Sequence, residues 1–168
     1  MLKNSLGKGD TVAQTKLVPV YCIDTSALIN LKNFPQDIFP TIWQKIEELA
    51  KNEQLISPIE VYREVDQVKD SIYKWCSKHK SIFIDPDSGQ ISNLPKIKQH
   101  YDEHHWNVQI QKTGAWADPW VIALGTSVKG IVVADESMEK TKIPYICQQI
   151  NVKCIDKFGL FQELGVKY

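Results

Sequence analysis

Carboxylates stand at four places in this 168-residue chain where strand or helix signals begin or end. Asp24 closes the apolar run Tyr21-Cys22-Ile23 and is followed by Thr25 and Ser26. Glu64 lies in the segment after Ser57-Pro58, Asp118 opens Asp118-Pro119, and Asp135-Glu136 follow Ile131-Val132-Val133-Ala134. Acids gathered in one crevice repel one another, and the usual reason for holding several ionised together is a hard divalent cation such as Mg²⁺ or Mn²⁺, which takes oxygen ligands. Such a cation lowers the pKa of a bound water and polarises a phosphoryl oxygen, and two of them about 4 Å apart clamp both the attacking and the leaving oxygen. The chemistry this suits is phosphodiester hydrolysis. Each acid also has a plain structural explanation. Asp24 and Asp118 stand where helices begin, and Glu64 lies on a helix, whose surface is commonly rich in glutamate.

Whether these acids meet depends on the elements that carry them. The run ending at Asp24 reads as a buried strand turning directly into a helix at Ala27, Leu28 and Leu31. Ile38, Phe39, Ile42, Trp43, Ile46, Leu49 and Ala50 recur at helical spacing. Gln54-Leu55-Ile56 reads as a second strand. Ser57, Pro58 and Glu60 then read as a capping box that starts a helix running through Val61, Val65, Val68 and Ile72 to about Trp75. Ser81 to Ile84 is a third strand, closed by Asp85-Pro86-Asp87-Ser88-Gly89, and residues 91–111 read as helix broken by Gly114. A helix opened by Asp118-Pro119 and closed by Gly130, a strand over Ile131 to Ala134, a helix over Ile143 to Ile150, a strand over Val152 to Ile155 and a helix over Phe158 to Leu164 complete the chain. Strands alternating with helices predict an α/β fold, a three-layer α/β/α sandwich with a mainly parallel central sheet. In that arrangement Asp24 and Asp135-Glu136 share the carboxyl edge of the sheet, where ligands bind, and the helices bearing Glu64 and Asp118 can reach it.

Twenty Lys plus Arg balance twenty Asp plus Glu, which excludes a protein that coats nucleic acid by bulk charge. The length and 43% hydrophobic content suit a single domain over residues 19–168, preceded by a polar, aperiodic leader over 1–18. The four cysteines contain no C-x-x-C pair, and no apolar run nears the roughly 20 residues of a membrane span, so a reducing, cytoplasmic setting without membrane contact is expected.

Asp24-Thr25-Ser26, the helix with Val61 and Glu64, Asp118-Pro119-Trp120-Val121-Ile122-Ala123 and Val132-Val133-Ala134-Asp135-Glu136 come in the order and at roughly the spacing seen in PIN-domain nucleases. Over about Pro19 to the C-terminus the chain resembles the VapC-type toxin branch and PIN-like proteins of uncharacterised function. The latter share its Ala117-Asp118-Pro119 and Lys142-Ile143-Pro144 stretches. The resemblance implies an α/β/α sandwich and a Mg²⁺- or Mn²⁺-dependent single-strand ribonuclease, often a toxin neutralised by an antitoxin protein and often a homodimer. By position it makes Asp24, Glu64 and Asp118 the first three acids and Ser26 the polar residue two places after the first. The fourth family acid commonly follows a strand as Thr-x-Asp. Here Ala134-Asp135-Glu136 aligns Glu136 with it, Ala134 lacks the hydroxyl, and Asp135 is an alternative ligand. Asp24, Asp118 and Glu136 would hold metal directly or through water, with Glu64 completing the set and Ser26 orienting water or metal.

Trp75, Trp106, Trp116 and Trp120 can stack bases, although packing is the commoner use of such rings; Trp116 is the best placed to stack. His100 and His104 have the four-residue spacing of a zinc pair, but with no third ligand no zinc is assigned. Lys69, Lys74, Lys78, Lys80, Lys140 and Lys142 could guide a phosphate backbone. A phosphatase with Asp24 as nucleophile, resembling haloacid-dehalogenase-type enzymes, requires Asp where Ser26 stands. A PIN-like module that binds RNA or protein without cutting is the non-enzymatic alternative.

Overall fold

The computed structural model describes residues 18–167; most of the expected leader lies outside the described residues. Five strands, β1 (Tyr21–Ile23), β2 (Leu55–Pro58), β3 (Phe83–Ile84), β4 (Ile131–Val133) and β5 (Cys154–Ile155), form one sheet in the order β3-β2-β1-β4-β5. Every pairing is parallel, with Cys22 beside Ile56 on one side and Val132 on the other. Parallel neighbours need crossovers, and helices supply them. In order these are α1 (Thr25–Asn30), α2 (Pro40–Lys51), α3 (Ile59–Asp66), α4 (Ser71–Lys78), α5 (Ser88–Lys98), α6 (Glu103–Gln111), α7 (Asp118–Ser127), α8 (Ile143–Gln149) and α9 (Lys157–Glu163). The expected α/β sandwich with a parallel central sheet is therefore present. Among the described residues, no helix is long and apolar enough to cross a membrane, and all four cysteines are free thiols.

The strand order locates the site. From β1 the chain steps outward to β2 and β3, then returns across β1 to build β4 and β5 on its other side. The point of reversal lies between β1 and β4, and their carboxyl ends open the crevice that such a reversal creates. The core fixes this edge firmly. Cys22, Ile23, Val132 and Val133 are buried in the two strands, and α7 buries Val121, Ile122, Ala123 and Leu124. A helix apolar on most of its surface belongs inside, and α7 contacts β1, β2 and β4 together. Gly125 allows that approach, because a Cβ there would come within 2.6 Å of Val132 Cγ2. The α7 start, and Asp118 with it, is thereby held over the β1/β4 junction.

Several boundaries differ from the sequence expectation. Ser57 does not cap a helix: it lies inside β2, its hydroxyl donates to the Ile23 carbonyl (2.6 Å), and Pro58 takes the N-cap position. The pairing of β2 with β3 extends to Pro58, so the strand claims the residues the capping box needed. The long helix expected from there divides into α3 and α4, because Lys69 is left-handed (φ 55°) and Asp70 caps α4 by accepting from Ile72 N and Tyr73 N. The 91–111 helix likewise divides at Asp102, which caps α6 and separates His100 from the helix bearing His104. The left-handed residue after α7 is Lys129 (φ 53°) rather than Gly130. Gly130 instead makes room for Val20, whose carbonyl would stand 2.7 Å from a Cβ.

Candidate functional site

Asp24 is the hinge of the site. Its backbone N–H donates to the Val133 carbonyl (2.8 Å), which ties the end of β1 to the end of β4. Its Oδ2 caps α1, accepting from Ser26 N (2.9 Å) and Ser26 Oγ (2.6 Å). Ser26 Oγ in turn accepts from Asp135 N (2.9 Å), so one hydroxyl joins both strand ends. The capping role anticipated for Asp24 is real, yet it uses only one oxygen. Oδ1 is buried and has no partner among the described residues.

The other acids are carried to the same place by α3, α7 and the loop after β4. Asp24, Ser26, Glu64, Asp118 and Glu136 line one cleft of about 330 Å³, together with Thr25, Ile29 and Asn30. Glu64 accepts from Ala117 N (2.9 Å) and from the Thr25 hydroxyl, fastening α3 to the starts of α1 and α7. Glu136 accepts from Lys142 Nζ (3.3 Å) and from Ile143 N (3.1 Å) at the start of α8. Asp135 does not line the cleft. Its oxygens take Lys157 Nζ (2.6 Å), Lys157 N (3.1 Å) and Asn30 Nδ2 (2.9 Å). Of the two neighbours, Glu136 is the one that joins the other acids.

Burial and mutual repulsion make ionisation costly here. Asp24 is pushed up to about 6, chiefly by burial and further by Glu136 and Glu64, against the Ser26 hydrogen bonds. Asp118 is pushed up to about 8, first by burial and then by Asp24, Glu136 and Glu64, with the Trp116 indole N–H opposing. Burial also raises Glu64, against Thr25 and Ala117. Lys142 is raised by Glu136. Among the described residues no group of three or more His, Cys, Asp or Glu side chains is drawn close enough to hold a metal ion as it stands. The donors nevertheless suit a hard cation: all are oxygens, Asp24 Oδ1 is unpartnered, and the two most perturbed acids are those a cation would favour in ionised form. Asp24 and Asp118 are the residues that would hold it directly. Glu64 and Glu136, whose oxygens already accept from the protein, would reach it through water.

Sequence reasoning gave no role at this cleft to Thr25 or Tyr101, and gave Lys142 only that of guiding a phosphate backbone. Thr25 positions Glu64, and Lys142 holds Glu136. Tyr101 is buried with a hydroxyl that has no partner among the described residues, and Asp118, Glu136 and Asp24 all act on it. Trp75 is a core residue, donating to Glu47 Oε1 (2.7 Å), whereas Trp106 and Trp116 form an edge-to-face cluster with Tyr101.

Residues 21–168 match the model of the family described as "Domain of unknown function (DUF4411)", and the chain belongs to that family. No curated protein matches the sequence. Among solved structures, PAE2754 from Pyrobaculum aerophilum aligns at 15% identity with a TM-score of 0.43, covering 89% of this chain and 98% of that one.

Proposed function

We propose that this DUF4411 chain, a single PIN-like domain over residues 19–168, is a Mg²⁺- or Mn²⁺-dependent endoribonuclease that hydrolyses phosphodiester bonds of single-stranded RNA. The observation that carries the reading is the convergence of Asp24, Glu64, Asp118 and Glu136 on one cleft at the reversal point of the sheet, with a buried, unpartnered Asp24 oxygen among them. The sequence resemblance to PIN-domain nucleases, which rests on these same four acids, adds RNA as substrate. It also adds the role of toxin in a toxin–antitoxin pair, the cytoplasm as the place of action, and a homodimer as a common assembly.

A bound divalent cation would supply charge for the phosphoryl oxygens and an acidified water. The chain's own residues do the rest. Asp24, at the strand end, and Asp118, at the helix start, would hold that cation with their carboxylate oxygens. Glu64, fixed by Thr25 and Ala117, would complete the acidic set and position the attacking water. Ser26 holds the Asp24 carboxylate in one orientation and links it to the β4 end. Lys142, beside Glu136 at the cleft, offers a cation to the phosphate backbone. An antitoxin protein would act here by placing a basic side chain on the carboxylates.

A second reading, a PIN-like module that binds RNA or protein without cutting, is favoured by one observation. Both Glu64 and Glu136 already spend their oxygens on protein donors. Cleavage of a panel of structured and single-stranded RNAs in Mn²⁺ or Mg²⁺ against EDTA, beside Asp118→Asn, separates the two. The nuclease cuts only with metal and loses about 10²-fold or more in the variant, the scale of removing one electrostatic element of a site. Full activity in Asp118→Asn would refute the assignment, and no cutting by either protein would leave the binding module.

A further inference from the structure

A second cavity, of about 490 Å³, is lined from the same two segments that carry acids to the cleft: Glu60 is one helical turn before Glu64 on α3, and Trp116 is two residues before Asp118. Its volume falls within the roughly 300–1,000 Å³ of small-ligand pockets. Glu60 lines it with a side chain only 9% exposed, and its Oε2 has no partner among the described residues. The other oxygen is held loosely, by Arg63 at 3.4 Å, and Arg63 is 63% exposed. A buried acceptor left unbonded costs free energy that a ligand donor can recover.

Resting on the reading of the neighbouring cleft as an RNA-cleaving site, we propose that this cavity is a subsite for an unpaired guanine base of the substrate. The chemistry of the walls selects that base. A carboxylate only accepts, and of the four bases guanine alone presents two adjacent donors, N1–H and N2–H, on its pairing edge, with an acceptor, O6, beside them for the Arg63 guanidinium. Adenine would set its N1 acceptor against the carboxylate, and cytosine and uracil offer it one donor each. Trp116 and Trp120 supply aromatic surface. Trp116 is held by edge-to-face contacts with Tyr101 (5.4 Å between centroids), His105 (5.9 Å) and Trp106 (5.0 Å), so the surface it gives the cavity is set before the base arrives.

The test is titration of the full chain in EDTA with GMP, AMP, CMP and UMP, followed by tryptophan fluorescence, for the unaltered protein, Glu60→Gln and the exposed variant Arg63→Ala. GMP should bind about tenfold or more tighter than AMP. Glu60→Gln, close in shape but carrying a donor beside its acceptor, should erase or reverse that preference, because a carboxamide pairs with adenine. Arg63→Ala, which leaves the core untouched, should weaken GMP and spare CMP. Equal binding of the four nucleotides, or a guanine preference unchanged in both variants, overturns the subsite. The same proteins are then given RNA with Mn²⁺. Metal-dependent cutting with no guanine preference in binding or cleavage refutes the subsite and leaves the nuclease reading standing, whereas GMP selection with no cutting supports the subsite and removes the nuclease reading.

Discussion

Asp135 and Asp24 stand at the ends of adjacent strands and are tied through Ser26, yet the chain treats them in opposite ways. Asp135 is compensated on every side, by the Lys157 ammonium, the Lys157 backbone N–H and the Asn30 amide. Asp24 faces three further carboxylates across a cleft, keeps one oxygen unpartnered among the described residues, and has its ionisation penalised. The fold can evidently place a lysine against an acid at this sheet edge, since it does so 22 residues beyond Asp135. The cluster around Asp24 is thus not forced by a lack of nearby cations. Compensated charge is what stability calls for, and uncompensated charge in a cleft marks a place where charge arrives from outside.

The largest effect that can break the contrast is on the compensated side. With side chains 17% and 5% exposed, Lys157 and Asp135 form a mostly buried pair, and removing one partner strands the other. Lys157→Met, which keeps an aliphatic stem but removes the ammonium that lies 4.5 Å over the Phe158 ring, should cost about 3 kcal/mol in a denaturant midpoint while leaving divalent-ion binding at the cleft unchanged. A cost below about 1 kcal/mol would place Asp135 with the exposed surface pairs, and the comparison would lose one of its terms.

On the uncompensated side the sign reverses. Asp24 and Asp118 sit at about 6 and about 8, against an ordinary 3.8, so between roughly pH 4 and pH 8 the folded chain holds more protons than the unfolded one. Stability therefore falls as pH rises through that window, by at most about 1.4 kcal/mol per pH unit for each proton concerned. In EDTA the melting temperature should drop between pH 5 and pH 8 by about 2–4 °C for each kcal/mol lost. Asp118→Asn, neutral throughout, should flatten the upper part of that fall and melt higher than the unaltered protein at pH 8. Mn²⁺ should raise the unaltered protein and move the variant less. A melting temperature independent of pH in EDTA would mean the carboxylates do not burden one another.

This contrast was half visible in the sequence. Asp24 could be placed because an apolar strand, a cap and a helix start meet within six residues, all local signals. Asp118 was legible for the same reason, with Pro119 fixing the helix start. Asp135 and Glu136 could not be told apart locally. Successive residues leaving a strand point to opposite sides, and the choice is made by Lys157 and Lys142, one 22 residues from Asp135 and the other six from Glu136. Glu60 was explained away by a capping box with Ser57, a pattern correct in composition and wrong in register, since β2 runs on through Ser57 and its hydroxyl turns to Ile23. The break between α3 and α4 had a local signal in Asp70-Ser71 that helical periodicity across Val65, Val68 and Ile72 masked. Tyr101 had no signal at all. Its stretch is polar and sparsely periodic, and only the tertiary fold brings it beneath the acids.

Tyr101 gives the finest division between the two regions. Its ring is packed among His105, Trp106 and Trp116, and its hydroxyl points to no acceptor among the described residues, although Asp118 and Glu136 are near enough to push its ionisation up after burial has done most of that work. A buried hydroxyl without a partner is a cost the fold carries, so Tyr101→Phe in EDTA should be neutral or stabilising by up to about 1 kcal/mol. The ring's packing is retained and only the oxygen is removed, which makes the sign easy to read in a chemical melt. A loss of more than about 1 kcal/mol would show that the hydroxyl donates to one of the carboxylates in solution. The cleft would then be partly compensated by the protein itself, and Asp24 and Asp118 would differ from Asp135 in degree rather than in kind.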